Sequence, residues 1–240
     1  MSKNIYDTLK KALEKKIISH DLADQSIDIT CKALSARQAI GTPDHDDYPI
    51  IKGKEVMVEA DFLNAKGQSF TDEFENRAYQ VKDLLSMNLS SNRKRASFIA
   101  GLNAVYRYLG LVEKTIHCKD KEPVLCAKKL SDIILKDSKV LLVGHQPRFL
   151  EMLASYCQVR AVDLDKDNIG KEFFNVTIES AEHTKDAINW CDMIFATGST
   201  IVNNTILNFI DANKHAVFYG VTISAPAKIL NLTTFCEYGH

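Results

Sequence analysis

Long apolar runs are missing from this chain: its most hydrophobic stretches, such as VLLV at 140–143, are the length of strands and too short to span a bilayer. The N-terminal MSKNIYDTLKKALEKKIISHDL is lysine-rich and lacks the uninterrupted apolar core of a signal peptide, so cytoplasm is the expected compartment. Charge of one sign is missing as well. With 30 basic and 31 acidic side chains the net charge is −1, which gives no electrostatic reason to expect a nucleic acid or a membrane surface as partner. Six cysteines (Cys31, Cys118, Cys126, Cys157, Cys191 and Cys236) are scattered without a CxxC pair, and reduced thiols are expected. No GxSxG, P-loop or HExxH motif occurs, which leaves hydrolase and kinase chemistry unsupported.

What is present is ordinary globular material: 240 residues, 45% hydrophobic and 25% charged, enough for one large core or two modest ones. Ile5, Leu9, Leu13 and Ile17 recur every fourth position and predict a helix over 3–17. A turn-rich stretch, AIGTPDHDDYPIIKGKE (39–55), leads into EVMVEADF. There Val56, Val58, Ala60 and Phe62 alternate with Glu55, Met57, Glu59 and Asp61, the period of a half-buried strand with a solvated acidic face. Asn64 to Gly67 reads as a hairpin turn, with Gly67 supplying positive φ. Asp72 and Glu73 read as the start or cap of the next element, and helices are predicted over 77–87 and 92–111. The second of these has Ser90 or Ser91 as N-cap and Gly110 as stop.

The second half alternates. Strands are predicted at 140–144, 159–164, 192–197 and 215–220, with helices at 122–136, 148–157, 181–190, 201–212 and 225–231, the pattern of a parallel sheet covered on both faces. The expected fold is therefore α/β, with an α+β domain over 1–121 and a Rossmann-like parallel-sheet domain over 122–240.

In such sheets ligands sit beyond the carboxyl ends of the strands. The first loop there is Gly144-His145-Gln146-Pro147-Arg148, in which Gly144 permits the turn and Pro147 suits a first helical position. Asp163 ends the second strand, where nucleotide-binding folds place a ribose-binding acid. The GxGxxG pattern is absent, which disfavours dinucleotides and leaves S-adenosyl compounds open. Thr197-Gly198-Ser199-Thr200 clusters hydroxyls and amides at an expected helix N-terminus, suited to a carboxylate or phosphate, with Asn203 and Thr205 extending the polar lining. YGVTISAP (219–226) repeats the theme with Thr222 and Ser224. Thr200→Val and Gly198→Val are expected to abolish ligand binding without unfolding the protein. His117, Cys118 and Cys126 are donors suited to zinc or a similar ion, although their spacing fits no zinc module. Cys236, His240 and His145 could join them only through the tertiary fold.

Taken together, AIGTPDHDDYPIIKGKE, GQSFTDE, FIAGLNAVYRYLGL, VLLVGHQP, ATGSTIVNNTI and YGVTISAPA resemble the family labelled "putative heavy-metal chelation". The resemblance covers nearly the whole chain from about residue 30, and its motifs are strongest at GHQP, ATGSTIVNNTI and YGVTISAPA. It implies an enolase-N-terminal-like α+β domain joined to a Rossmann-like domain, with a cleft between them walled by the GHQP, ATGST and VTISAP loops. Asn103, one position from the apolar helix face, reads from the residues alone as either a satisfied core amide or a cleft residue; it matches the family's helical asparagine, and the resemblance implies a site role. The expected function is binding of a small anionic or metal-chelating ligand in that cleft, in heavy-metal or metal-cofactor handling, with a transition metal or metal chelate as the group bound. An S-adenosyl- or nucleotide-dependent group transfer, and a metal carrier built on His117, Cys118 and Cys126, are the alternatives. Homo-oligomerisation stays open.

Overall fold

The computed structural model describes residues 4–30, 36–53 and 55–240, so Cys31 lies outside the described residues. The chain begins with α1 (Ile5–Ser19), β1 (Ser26–Thr30) and α2 (Ala36–Ile40), and continues through β2 (Val56–Phe62), β3 (Ala65–Thr71) and β4 (Arg77–Gln80). Then come α3 (Asp83–Ser86), α4 (Asn92–Tyr108) and α5 (Glu122–Lys128), the last running into a short 3₁₀ turn over 129–132. The second half contains β5 (Lys139–Val143), α6 (Pro147–Tyr156), β6 (Gln158–Asp163), β7 (Glu172–Phe173), β8 (Val176–Ser180) and α7 (Thr184–Trp190). It closes with β9 (Met193–Thr197), α8 (Leu207–Ile210), β10 (His215–Tyr219), α9 (Ser224–Leu230) and β11 (Thr233–Phe235).

The fold is mixed α/β. An antiparallel sheet in the order β3-β2-β1-β4 stands beside a seven-stranded sheet in the order β11-β10-β9-β5-β6-β8-β7. Every pairing in the larger sheet is parallel except the β7–β8 hairpin. Period-two alternation buries both of its faces: Leu141 and Ile194 join one core, Val140, Leu142 and Phe195 the other. The first of these cores is continuous with the apolar faces of α1 and α4, so α4 is packed on both sides. Asn103 explains much of that contact. Its Nδ2 is within hydrogen-bond distance of Gln68 O (3.0 Å), Val221 O (3.2 Å) and Thr222 O (3.3 Å), and its Oδ1 accepts from Ala225 N–H (2.9 Å).

Several expectations need correction. Residues 77–80 form a strand paired with β1, and only 83–86 of the predicted helix is helical. The hairpin turns at Leu63 and Asn64, both at positive φ, so the turn begins one residue before the predicted Asn64–Gly67 and does not use Gly67. Gly67 instead lies within β3, where close approach of α4 excludes a side chain. The predicted helices over 122–136 and 201–212 are broken into short pieces. Strand β1, the β7–β8 hairpin and β11 went unpredicted because each is short or polar. No helix among the described residues is long and apolar enough to cross a membrane.

Candidate functional site

β6 and β8 lie to one side of β5, while β9, β10 and β11 lie to the other. The chain thus changes direction across the sheet between β5 and β9, and such switch points open crevices at the strand ends. A cavity of about 690 Å³ occupies that position. Its floor comes from the loops after β5, β6, β9 and β10, and its opposite side from β3 and the segment before β2. The volume falls within the range of small-molecule sites.

The first loop is built as the sequence suggested. Gly144 takes φ +87° and brings the chain against Thr197, whose Cγ2 would stand 2.9 Å from an added Cβ. Gln146 caps α6 by accepting from Phe149 N–H (2.6 Å), and Pro147 fills the first helical position, away from the cavity. His145 lines the cavity and stacks on Phe173, ring centroids 4.5 Å apart. Burial lowers its pKa despite the nearby Asp163.

Asp163 reaches the cavity but is committed to local structure. Its two oxygens accept from the backbone N–H groups of His145 and Asp165, each at 2.7 Å. That fixes the two loops to one another, and a ribose hydroxyl would have to share each oxygen with a backbone amide.

The Thr197 to Thr200 segment also differs from expectation. Thr197, Ser199, Thr200 and Asn203 line the cavity, but Gly198 to Ile201 form a 3₁₀ turn and only a four-residue helix follows, at 207–210. Without a long helix the positive dipole end is weak, and the hydroxyls are engaged internally. Thr200 Oγ1 donates to Thr197 O (2.8 Å), Ser199 N–H donates to Thr197 Oγ1 (3.3 Å), and Asn203 Oδ1 accepts from Thr205 (2.6 Å). Thr200→Val is therefore expected to cost about 1 kcal/mol of stability through the lost buried bond, measured as a lower urea midpoint. Gly198 faces away, and a Cβ there would stand 2.9 Å from Ile223 N. Gly198→Val is consequently a folding variant and cannot serve as a clean test of binding.

Thr222 lines the cavity and accepts from Phe70 N–H (3.1 Å), tying it to β3. Ser224 does not line the cavity: its hydroxyl is shared by Lys114 O and Val221 O. Asn103 is likewise a satisfied core amide, fully buried, rather than a cavity residue.

Two groups of donors define the rest of the wall. One is soft: His117, Cys118, Cys126 and Cys236 all line the cavity, the cysteines near enough to perturb one another. Burial pushes the Cys118 and Cys126 thiols up and Cys236 up to about 11, so none is a ready thiolate nucleophile. His117 Nδ1 lies 2.6 Å from Cys118 O, and burial lowers its pKa. The other group is hard: Glu55, Asp72, Asp163 and Asp165. Burial, then repulsion from Asp163, Asp165 and Asp72, raises the Glu55 carboxyl to about 7. Tyr219, buried beside Glu55 and Asp163, is pushed well above the usual tyrosine value. Among the described residues, no three His, Cys, Asp or Glu side chains are arranged to hold a metal ion.

Glu55, Asp72, Asp165 and Tyr219 were not identified as site residues from the sequence. Glu55 belongs to an alternating strand edge that reads as solvated. It reaches the cavity alongside Tyr48, Pro49 and Ile50, neighbours that only the tertiary fold supplies.

No curated protein matches the chain. A crystal structure of a DUF364 protein of unknown function from Pyrococcus horikoshii is similar at a TM-score of 0.54 and 14% identity, over 90% of this chain and 79% of that one. A second, from Desulfitobacterium hafniense DCB-2, is similar at 0.55 and 14%, over 93% and 83%. At that identity the likeness is one of fold. Residues 129–233, which contain the GHQP, ATGSTIVNNTI and YGVTISAPA segments, match the model of the DUF364 family, described as "Putative heavy-metal chelation".

Proposed function

We propose that this chain binds a small metal-chelating molecule, or the metal chelate it forms, in the cavity beyond β5 and β9. The observation that carries this reading is the combination of volume and donor placement. A space of about 690 Å³ is far larger than a bare ion needs. Soft donors stand on one part of its wall and carboxylates on another, yet no three of them converge among the described residues. A metal bound in such a space brings most of its own ligands, and the protein adds one or two. His117 and the Cys118, Cys126 and Cys236 thiols would contact a soft ion; Glu55, Asp72 and Asp165 would contact a hard one or an amine of the chelator. The acidic wall and the internally bonded hydroxyls favour the chelate over a purely anionic ligand. The family description is compatible with the same reading.

Full-length protein without a histidine tag tests this. It is incubated with Zn²⁺, Ni²⁺ or Fe³⁺ as simple salts and as citrate or nitrilotriacetate complexes, and retained metal is measured after desalting. Retention of at least one chelate, with its stoichiometric organic partner and in preference to the simple salt, is expected. Preferential retention of the simple salt would instead support the carrier built on His117, Cys118 and Cys126. Retention of neither form would sink both. Thermal shift with S-adenosyl compounds addresses the group-transfer alternative, since a ligand at about a hundred times its Kd adds about 2.7 kcal/mol. Asp163 is already committed to backbone amides, so no shift is expected.

A further inference from the structure

Residues 41–53 run from the end of α2 toward β2, and both ends of the segment are glycines in the left-handed region, Gly41 at φ +71° and Gly53 at φ +70°. The first end is pinned: Thr42 N–H donates to Asp120 Oδ1 (2.7 Å), and Asp120 N–H to Ile40 O (2.9 Å). The second is open, with no atom within 4 Å of where a Gly53 side chain would begin. Between them Tyr48, Pro49 and Ile50 form part of the cavity wall. Tyr48 and Ile50 pack with Ala39, Ile40 and Met57 in a small apolar cluster separate from the two main cores.

Arg148 in the first turn of α6 fastens this segment to the loop after β5. It is 5% exposed, donates to Asp47 through Nη2, and has the His45 ring 3.3 Å from Nη1. Its other carboxylate partner, Glu151 (2.6 Å), is on its own helix and does not span the seam.

The seam is poorly satisfied. Among the described residues, the buried side-chain nitrogen and oxygen atoms that lack a hydrogen-bond partner are Asp47 Oδ1, Tyr48 OH, His145 Nδ1 and Arg148 Nε. All of them lie along this junction, two on each side. A buried polar group without a partner costs its full desolvation, so a structure that gathers such groups in one place is weakest there. Opening the junction would return all four to water while leaving both main cores intact.

We propose that residues 42–52 are a gate on the cavity, pivoting at Gly41 and Gly53 and latched by the Arg148–Asp47 ion pair. The gate goes beyond the ligand reading and is testable without any ligand, so either can fail alone. Cys118 reports on it: it is 8% exposed and lines the same cavity as Tyr48.

The experiment compares full-length wild type with Asp47→Asn and Glu151→Gln. It follows N-ethylmaleimide labelling of Cys118 by mass spectrometry, together with amide hydrogen exchange of residues 42–52 and of α4. Asp47→Asn is expected to speed both Cys118 labelling and exchange in 42–52 by about tenfold or more, with α4 unchanged, as local opening requires. Glu151→Gln leaves the latch in place and is expected to stay within about twofold of wild type. Unchanged Cys118 labelling in Asp47→Asn would overturn the gate, as would labelling that rises only in step with α4 exchange. Should Asp47→Asn fail to fold, wild-type exchange decides: amides of 42–52 opening well ahead of β2 support the gate, and equal protection overturns it.

Discussion

Gly67→Val is expected to destabilise the fold by at least about 3 kcal/mol, more than any other single change considered, because the side chain would enter backbone rather than another side chain. A Cβ at this position would stand 2.2 Å from Ala104 N and 2.4 Å from Ala100 O. Helix backbone of this kind cannot rotate away, so β3 and α4 must separate. Separation also breaks the bond from Asn103 Nδ2 to Gln68 O, on the residue next to Gly67. Asn103 in turn holds the 221–225 segment, so the damage is expected to reach the larger sheet. A large drop in the urea midpoint, or failure to recover folded protein, is the expected outcome. A variant with a wild-type midpoint would show that α4 does not press on the strand as described.

The same glycine illustrates what the sequence reveals and what it hides. Gly67 was legible as a constrained position but assigned the wrong constraint, since a turn glycine and a close-approach glycine look alike in one dimension. Regular elements with strong periodicity were readable: α1, β2, and the strands β5, β6, β9 and β10 lie within a residue or two of expectation, and α4 begins where expected and ends three residues early. Strands such as β1 and β4 were not, because their stability comes from pairing with each other and with β2 rather than from their own composition. For the site, the strand-end rule located the cavity, and His145, Thr197, Ser199, Thr200 and Thr222 do line it. Asn103 was placed there by resemblance, yet its four partners are backbone groups of β3 and of the 221–225 segment. Cys236 reaches the wall bearing Cys118 and Cys126 from 110 positions beyond Cys126, a convergence that only the tertiary fold creates.

Glu55 is the sharpest of these cases, and its substitution should produce a pH-dependent effect of unusual sign. Its carboxyl titrates near 4.5 when solvated and about 7 in the fold. Below 4.5 the proton is bound in both states and the residue contributes nothing. Between 4.5 and about 7 the unfolded chain releases the proton while the folded chain keeps it, so stability falls as pH rises. Above that window the penalty is constant. The full displacement would correspond to about 3 kcal/mol. Glu55 is only half-buried and faces a cavity that admits water, so about 1–2 kcal/mol is the expected share. Glu55→Gln keeps the size and removes the ionisation. It is therefore expected to stabilise the protein by about 1–2 kcal/mol at pH 8 and to leave it unchanged at pH 4, read from urea midpoints across that range. A difference independent of pH would mean that Glu55 is solvated after all, as its alternating strand suggests. The predicted slope would mean that the fold keeps a carboxyl where it lowers stability. Such a cost is expected at a site that binds something, and not on a surface that merely faces water.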